Sequence, residues 1–279
     1  MPANHHTHTI YSDGSAKPEE YIFQAIAKGF SLLGFTEHSP LPFKNNFSFQ
    51  IEKKAEYLSL MAGLKTRFSG QISVFSGMEM DYIPGMSEDF EGVRNAFRCD
   101  YLIGSVHLVK PDNFNELWFT DGPDYEIYDH GLNEFFGGDI RKAVKTYYRQ
   151  VNQMIETQHF EIIGHFDKIK MHNRNRFFRE DEVWYKLLVD ETLQLIKEHQ
   201  LIVEVNTRGI YKNRSETTYP GIEILKQIKD LKIPVIVNSD AHHPIEIDGA
   251  FKNALLLLEE AGIKEVISYR GKNWVFENL

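Results

Sequence analysis

Short apolar segments alternate with longer segments that carry apolar residues at helical spacing. Runs of roughly four to eight apolar or β-branched residues predict buried strands, whereas apolar residues three and four positions apart predict amphipathic helices. The predicted strands cover residues 31–36, 71–75, 100–107, 160–165, 201–206 and 232–238. The predicted helices cover residues 18–28, 51–68, 88–97, 140–158, 181–199, 219–231 and 250–261. The pattern therefore predicts strand–helix units that follow one another along the chain.

Roughly seven such units favour a closed parallel barrel with its helices outside, formed by residues 1–279 as a single domain. A doubly wound open sheet is the alternative, but it usually has fewer strands and a glycine-rich phosphate loop. The sequence contains neither a GxGxxG motif nor GxxxxGK followed by Ser or Thr. The predicted fold is therefore an α/β protein of the (β/α) barrel type.

Residues 110–138 break this pattern, because they are polar and aromatic and show no helical or strand period. We predict an irregular loop here, and loops of this length are usually lids or disordered segments. As a lid, the loop would offer acidic and aromatic groups to a cationic amine or an imidazole. These groups are Glu116, Trp118, Asp121 and Asp124. An acidic solvated loop fits the sequence equally well, so none of them is assigned to a site.

The first fifteen residues carry a histidine pattern that suits metal binding. In an extended segment, residues i and i+2 point the same way, so His6 and His8 project together while His5 faces the other side. Two neighbouring neutral imidazoles form a chelate for zinc, iron or manganese. A turn at Asp13 brings a carboxylate back toward them. A flexible tail or a purification tag is the alternative, although a tag is usually an unbroken histidine run.

Further His, Asp and Glu residues recur at or just past the carboxyl end of a predicted strand. In a parallel barrel these ends lie on one face, where the active sites of such barrels are built. Unrelated structural histidines would instead be scattered over helices and loops. The candidate metal ligands are His6, His8, Asp13, His38, Glu79, His107, His165, Asp240 and His242.

Imidazoles and carboxylates without cysteine are typical of a hydrolytic site for zinc, manganese or iron. The candidates are too many for one ion and suffice for two or three divalent ions if Glu79 bridges. Closely spaced ions suit phosphoryl transfer, because one activates water while the others bind the phosphate and the leaving oxygen. No Gly-x-Ser-x-Gly elbow or cysteine-based loop offers a nucleophile. The predicted mechanism is therefore direct attack by a metal-bound hydroxide.

Composition narrows the choice of partners. The net charge of −9 disfavours binding to a nucleic-acid backbone, but it is compatible with a small phosphorylated substrate whose charge is met by metal ions. Cys99 is the single cysteine, so no intrachain disulfide forms and a reducing compartment fits. No segment approaches the ~20 apolar residues of a membrane span, and the first residues lack the pattern of a secretory signal. We expect a cytoplasmic enzyme without a membrane partner; its oligomeric state stays open.

Six short motifs follow one another over nearly the whole chain: 6–14, 36–39, 77–79, 104–107, 164–167 and 238–242. Their residues and their order resemble the PHP (polymerase and histidinol-phosphatase) superfamily. The resemblance implies a distorted seven-stranded barrel with a trinuclear metal site. It assigns His6, His8, Glu79 and Asp240 to one ion, Asp13, His38 and His242 to a second, and Glu79, His107 and His165 to a third. We name Glu79, Asp240 and His242 as the catalytic residues.

Within this superfamily, residues 36–38 and 204–209 most resemble the stand-alone histidinol-phosphate phosphatases. The resemblance implies hydrolysis of L-histidinol phosphate to L-histidinol and phosphate, late in histidine biosynthesis. It also implies that Arg208 binds the phosphate, although a surface Arg in a salt bridge is the alternative. A second basic residue follows the Gly-His-x-Asp motif in that group, and here the candidates are Lys168 and Lys170.

Two other functions fit parts of the sequence. The first is a PHP phosphoesterase or exonuclease that acts on nucleotides or nucleic acid. The charge of −9 and the absence of an attached polymerase domain or a basic aromatic stripe argue against it. The second is a non-catalytic scaffold that has lost its metals. Such a protein should have lost several ligands, whereas every ligand position here is filled.

Overall fold

The computed structural model describes residues 2–279 and shows strands that alternate with helices. The strands are β1 (Ala3–Asn4), β2 (Leu32–His38), β3 (Ser73–Asp81), β4 (Leu102–Ser105), β5 (Leu108–Val109), β6 (Trp118–Phe119), β7 (Ile162–Ile163), β8 (Ile202–Asn206), β9 (Val235–Asn238), β10 (Glu265–Tyr269) and β11 (Trp274–Asn278). The helices are α1 (Pro18–Ala27), α2 (Lys54–Phe68), α3 (Phe90–Phe97), α4 (Tyr125–Phe136), α5 (Ile140–Thr157), α6 (Val183–Glu198), α7 (Arg208–Tyr211), α8 (Ile222–Leu231) and α9 (Phe251–Glu260).

Across residues 2–279, seven strands form one parallel sheet in the order β1-β2-β3-β4-β7-β8-β9. The two edges of this sheet meet where Thr7 and Ala241 form a parallel bridge. The backbone N–H of His8 donates to the Ala241 carbonyl at 2.9 Å, and the N–H of Ala241 donates to the His6 carbonyl at 3.3 Å. The sheet therefore curves into a barrel that closes just beyond β1 and β9, which confirms the predicted fold class.

The helices cover the outside of the barrel with one apolar face each, as α5 illustrates. The Asp139 carboxylate caps this helix by accepting a hydrogen bond from the N–H three residues later. Val144, Tyr148, Val151 and Ile155 recur at spacings of three and four residues and are fully buried. The spacing that predicts the helix therefore also marks the face that packs on the strands.

The hairpin of β10 and β11 closes the barrel at the amino ends of its strands. Tyr269 and Trp274 from this hairpin pack against Phe75 and Tyr101, with ring centroids 5.0 to 5.9 Å apart. His5 joins this layer, because its Nε2 accepts a hydrogen bond from the Tyr269 N–H at 3.1 Å. The hairpin thus forms an apolar floor and leaves the carboxyl ends of the strands open.

Gly34 in β2 is required by the close approach of Tyr101 to the strand. A Cβ at this position would lie 1.8 Å from the Tyr101 hydroxyl oxygen. That hydroxyl donates a hydrogen bond to the His5 carbonyl at 2.7 Å. A larger residue at position 34 would therefore displace a ring that ties the floor to the first strand.

The prediction of an irregular loop over residues 110–138 is wrong. β6 lies in this segment and pairs antiparallel with β5 just before it, and α4 covers residues 125–136. Trp118 explains the order, because its indole N–H donates to the Tyr128 carbonyl at 3.0 Å and its ring packs against Gly131. The buried side chain of Trp118 thus links the β5–β6 pair to α4. Such a contact leaves no periodic pattern in the sequence.

Other differences are smaller. β7 covers only Ile162–Ile163 where the apolar run predicts 160–165, and α7 at Arg208–Tyr211 lies outside every predicted element. Within residues 2–279, every helix is too short or too polar to span a membrane.

His5 makes stability dependent on pH. Burial lowers the pKa of this imidazole to about 3, with a further contribution from the Arg270 charge. The unfolded chain therefore takes up a proton near pH 6.5 that the folded protein takes up only near pH 3, so this residue destabilises the fold as the pH falls below 6.5. The cost is about 1.4 kcal/mol per pH unit.

We expect the stability advantage of the wild type over His5→Gln to shrink as the pH falls from 7.5 to 5. Gln places a neutral acceptor near Nε2 but takes up no proton in the unfolded chain, so only the wild type loses stability in this way. Urea unfolding of both proteins across this range measures the difference. A difference that does not change with pH would contradict the assignment.

Candidate metal centre

The predicted ligands all lie at the carboxyl end of the barrel, opposite the floor. Parallel strands end at the same rim, so side chains that follow different strands meet there. They are His6, His8 and Asp13 after β1, His38 at the end of β2, Glu79 in β3, His107 after β4, His165 after β7, and Asp240 and His242 after β9.

Glu79 lies at the centre of the group and is 1% exposed. Its Oε2 lies 3.2 Å from His6 Nε2 and 3.3 Å from His8 Nε2. Its Oε1 lies 3.0 Å from His165 Nε2 and 3.4 Å from His107 Nε2. One carboxylate therefore reaches two pairs of imidazoles through its two oxygens, which is the arrangement that a bridging ligand needs.

The remaining carboxylates lie on either side of this centre. Asp240 Oδ1 is 3.4 Å from His8 Nε2. Asp13 Oδ2 is 3.2 Å from His242 Nε2, and its Oδ1 is 3.8 Å from His38 Nε2. The donor atoms form three groups in which all atoms lie within 4.8 Å of one another: His8, Asp13, His38 and His242; His6, His8 and Asp240; and His38, Glu79 and His107.

The loop that carries Asp13 is held by the buried carboxylate of Glu37. The N–H of Thr9 donates to it at 3.0 Å and the Thr9 hydroxyl at 2.6 Å, while the Ser12 hydroxyl donates at 2.5 Å. Gly14 lets the loop fold back, since a Cβ there would lie 2.2 Å from the His8 carbonyl oxygen. The turn predicted from Asp13 and Gly14 thus depends on a partner from the next strand.

Two candidate ligands have backbone conformations that cost free energy. His165 has φ of 23° and Asp240 has φ of 54°, both in the region that residues other than glycine rarely occupy. The His165 N–H donates to Glu204 Oε2 at 3.1 Å, which helps to hold this conformation. Such strain persists where the surrounding structure requires a particular side-chain direction, as in a functional site.

Two buried acidic residues contact the outer ring nitrogens of the histidines, and neither is among the predicted site residues. Glu204 Oε1 lies 2.5 Å from His6 Nδ1. Asp81 Oδ2 lies 3.1 Å from His38 Nδ1, and its Oδ1 contacts His107 Nδ1. A carboxylate on the outer nitrogen fixes the proton there and directs the other nitrogen to a metal.

The two-residue alternation of strands is the signal that would have located both. Asp81 follows Glu79 by two residues in β3, so the two carboxylates leave the strand on the same face. Glu204 and Asn206 stand in β8, the barrel strand of the described chain that supplies none of the predicted ligands. Acidic and amide residues within a buried strand therefore indicate contacts to the ligands in the site.

The charges of the group favour added cations. Burial lowers the pKa of His38, but the charges of Glu79 and Asp13 outweigh burial and raise it to about 10. Burial also opposes ionisation of Glu79, yet the charges of His6 and His107 hold its pKa well below its usual range. Ionised carboxylates beside imidazoles, without a thiolate, suit zinc, iron or manganese. The donor set therefore fits the ions that the sequence predicts.

A cavity of about 220 Å³ opens beside these donors. Phe47 and Phe119 flank it as a stacked pair with ring centroids 6.0 Å apart. Asp121, from the segment with the wrong loop prediction, also lines the cavity and is largely buried. Its Oδ1 has no hydrogen-bond partner within the described chain. The cavity thus combines an aromatic edge with the metal-ligand face, and the buried carboxylate of Asp121 lies in its wall.

Arg208 lies in the cavity wall, as predicted for a residue just past a strand. Its Nη1 donates to the Asp240 carbonyl at 2.6 Å and lies 2.6 Å from His242 Nδ1. Arg214 lines the same cavity, although the sequence offered no reason to select it. The guanidinium of Arg208 is therefore anchored against two candidate ligands.

The two candidate lysines point in different directions. Lys168 lines the cavity, with Nζ 2.8 Å from Asp121 Oδ2. Lys170 does not reach it, because its Nζ is bound to Asp167 at 2.7 Å and to Glu180 at 3.0 Å. Residues 168–170 form a single 3₁₀ turn, on which residues two apart face different sides. The predicted place of Lys170 in the substrate site is therefore corrected.

Comparison with known proteins identifies the family of this chain. The family model described as "PHP domain" matches residues 4–208. A protein of Deinococcus radiodurans named "Probable histidinol-phosphatase" is 28% identical over 264 residues, which cover 94% of each chain. The "Histidinol-phosphatase" of Bacillus subtilis is 26% identical over 270 residues, which cover 88% of this chain and 96% of the relative.

Solved structures show the same fold. The crystal structure of histidinol phosphate phosphatase from Lactococcus lactis, in complex with zinc, L-histidinol and phosphate, superimposes with a TM-score of 0.70. It is 20% identical, and the match covers 98% of both chains. A protein of Listeria monocytogenes gives a TM-score of 0.77 at 22% identity, over 90% of this chain and 99% of its own.

We expect protein purified without chelators to carry two or three transition-metal ions per chain, because eight other donors are grouped around Glu79. His242→Ala should lower the content by about one ion, whereas His199→Ala, an exposed histidine at the end of α6, should leave it unchanged. Elemental analysis of the three proteins provides the measurement. Active protein that holds no metal would contradict the site.

Proposed function

The chain belongs to the PHP domain family, and we propose that it is a metal-dependent phosphatase that hydrolyses L-histidinol phosphate to L-histidinol and phosphate. The observation that carries the proposal is the cavity that six of the nine donors share with Arg208 and Lys168. The names of the relatives support the substrate, since they match over nearly their whole length. We assign the activity to one domain, residues 1–279, because the barrel and its floor use strands from both ends of the chain.

We propose three ion positions, two of which share Glu79 as a bridge. The first would use His6, His8, Glu79 and Asp240; the second Asp13, His38 and His242; the third Glu79, His107 and His165. Zinc is the first choice, because it occurs in the complex of the Lactococcus lactis protein, with iron and manganese as alternatives that suit the same donors. Bound ions would supply an activated water and withdraw charge from the phosphoryl oxygens.

The side chains around the ions would hold the phosphate and direct protons. Burial lowers the pKa of Lys168, but the charges of Asp121 and Asp240 outweigh burial. Its pKa therefore lies above the usual value, and its ammonium stays protonated. Lys168 can therefore donate hydrogen bonds to a phosphate oxygen. Burial opposes ionisation of Asp240, whereas the charges of His6 and Arg208 keep its pKa well below the usual range. Asp240 can accordingly accept a hydrogen bond from the attacking water.

The rest of the cavity suits an amino alcohol with a small aromatic ring. Phe47 and Phe119 offer a surface for an imidazole ring. Asp121 presents Oδ1, a buried acceptor whose neighbour Oδ2 is occupied by Lys168. A cationic amine would satisfy that acceptor. These features support a substrate with a positively charged organic half.

Hydrolysis of nucleic acid is the weaker alternative. A cavity of about 220 Å³ is small for a polynucleotide, and the net charge of −9 repels one. The charge and the single cysteine also support our proposal that the enzyme works in the cytoplasm.

A panel of phosphomonoesters tests the proposal directly. We expect metal-loaded protein to hydrolyse histidinol phosphate with the highest kcat/KM of the panel and to leave single-stranded DNA intact. The panel should include histidinol phosphate, an amino-alcohol phosphate without a ring, and a nucleoside monophosphate. Degradation of DNA at a rate comparable to that for histidinol phosphate would favour the nuclease instead.

Arg208→Ala should lower kcat/KM, with a loss of about 2–4 kcal/mol of transition-state stabilisation, because a charge-assisted paired contact to phosphate is lost. Arg208→Lys should recover only part, since an ammonium cannot reproduce the planar fork. The exposed Arg149→Ala is the control for removal of an arginine and should behave as wild type.

Metal content must be measured in the same samples, because Arg208 also contacts His242. Lost activity with full metal content supports phosphate binding by Arg208. Wild-type kinetics for Arg208→Ala would place the phosphate site elsewhere.

A further inference from the structure

Asp81 contacts two candidate ligands from two different ion positions. It is the last residue of β3 and is 1% exposed. Its Oδ2 lies 3.1 Å from His38 Nδ1, closer than Glu79 Oε2 at 3.3 Å, and its Oδ1 contacts His107 Nδ1. β3 lies between β2 and β4, so a carboxylate at its end meets the histidines of both neighbours.

These contacts determine which nitrogen of each ring faces the ions. An ionised carboxylate only accepts hydrogen bonds, so Asp81 requires a proton on Nδ1 of both His38 and His107. Each Nε2 is then the nitrogen that can release its proton and bind an ion. His38 Nε2 faces Asp13 at 3.8 Å, whereas His107 Nε2 faces Glu79 at 3.4 Å. One side chain therefore prepares a ligand for the second position and a ligand for the third.

The backbone of Asp81 is fixed on both sides. Its N–H donates to Ser39 Oγ at 3.1 Å, its carbonyl accepts from the Ser87 hydroxyl, and the next N–H donates to the Ser105 carbonyl at 2.9 Å. The carboxylate cannot shift toward one histidine without drawing away from the other. A change at either ring must therefore be felt by its partner.

We propose that Asp81 is a positioning residue that couples the filling of the second and third ion positions. The inference rests on the ion positions of the proposed function. An ion on His107 Nε2 strengthens the hydrogen bond from its Nδ1–H to Oδ1 and so fixes the Asp81 carboxylate. His38 is then held by Oδ2 with its Nε2 directed to the second position, and the second ion binds more tightly. By linkage, an ion on His38 favours the third position equally.

Glu204 provides the matched comparison. It is also buried and also contacts an outer nitrogen, but only that of His6, at 2.5 Å. Asn206 and Asn238 donate to its two oxygens at 3.0 Å each. Glu204 therefore contacts the ring of a first-position ligand only, and its other oxygen accepts from the His165 backbone N–H at 3.1 Å. Because Gln keeps one acceptor oxygen for that N–H, Glu204→Gln should mainly weaken the ion of the first position.

The test is titration of metal-free full-length protein with Zn²⁺ against a chromophoric chelator. We expect wild type to fill two positions in one cooperative step. Asp81→Asn has one acceptor and one donor, so it can hold only one of the two rings in the Nδ1–H form. It should weaken both ions about 10- to 100-fold and abolish the cooperativity. Glu204→Gln should weaken one ion and keep the cooperative step.

Nitrogen-15 NMR of the histidine rings provides a readout that does not depend on turnover. Both rings should carry a proton on Nδ1 in metal-free and in zinc-loaded wild type, and one ring should lose it in Asp81→Asn. If Asp81→Asn does not fold, Ser39→Ala removes the acceptor of the Asp81 backbone N–H. It should loosen the backbone that carries the carboxylate and reduce the cooperativity while two ions still bind.

Independent filling in wild type, or unchanged cooperativity in the folded variant, would overturn the coupling. Zinc-loaded wild type that ignores histidinol phosphate yet fills cooperatively would reject only the proposed substrate. Wild type that binds no zinc would reject both.

Discussion

A buried carboxylate between two pairs of imidazoles is the constraint on which the rest of this structure depends. Glu79 is 1% exposed, and each of its oxygens lies within 3.4 Å of at least two histidine nitrogens. A charge with so little water is tolerated only where cations or protonated partners surround it. The strands on either side must therefore end at the same height, which the parallel pairing of β2, β3 and β4 provides.

Closure of the barrel completes this environment. The backbone hydrogen bonds of Ala241 with His6 and His8 join the two edges of the sheet and bring both histidines beside Asp240. Successive side chains of this extended segment point to opposite sides. His5 points into the floor against Tyr269, whereas His6 and His8 point into the metal centre. The stability of the floor and the geometry of the metal centre thus depend on the same short segment, residues 5–8.

Acidic residues behind the histidines add a second layer of order. Asp81 and Glu204 contact the outer nitrogens, and Glu37 holds the loop that carries Asp13. These carboxylates are buried in strands, where apolar residues would be expected. Their presence reflects the need to fix proton positions on several imidazoles at once. The cations of the cavity wall, Lys168 and Arg208, are held in turn by Asp121 and by the Asp240 carbonyl.

The sequence by itself determined the barrel and the set of candidate ligands, because the alternation of strands and helices and the strand-end position of polar residues are local patterns. Only the tertiary structure decided which basic residues reach the cavity, since Lys168 and Lys170 differ by their direction on one turn and by the partners of Lys170. It also decided the order of residues 110–138, which follows from Trp118 packing on α4. Such contacts join residues through space, and no period along the chain encodes them.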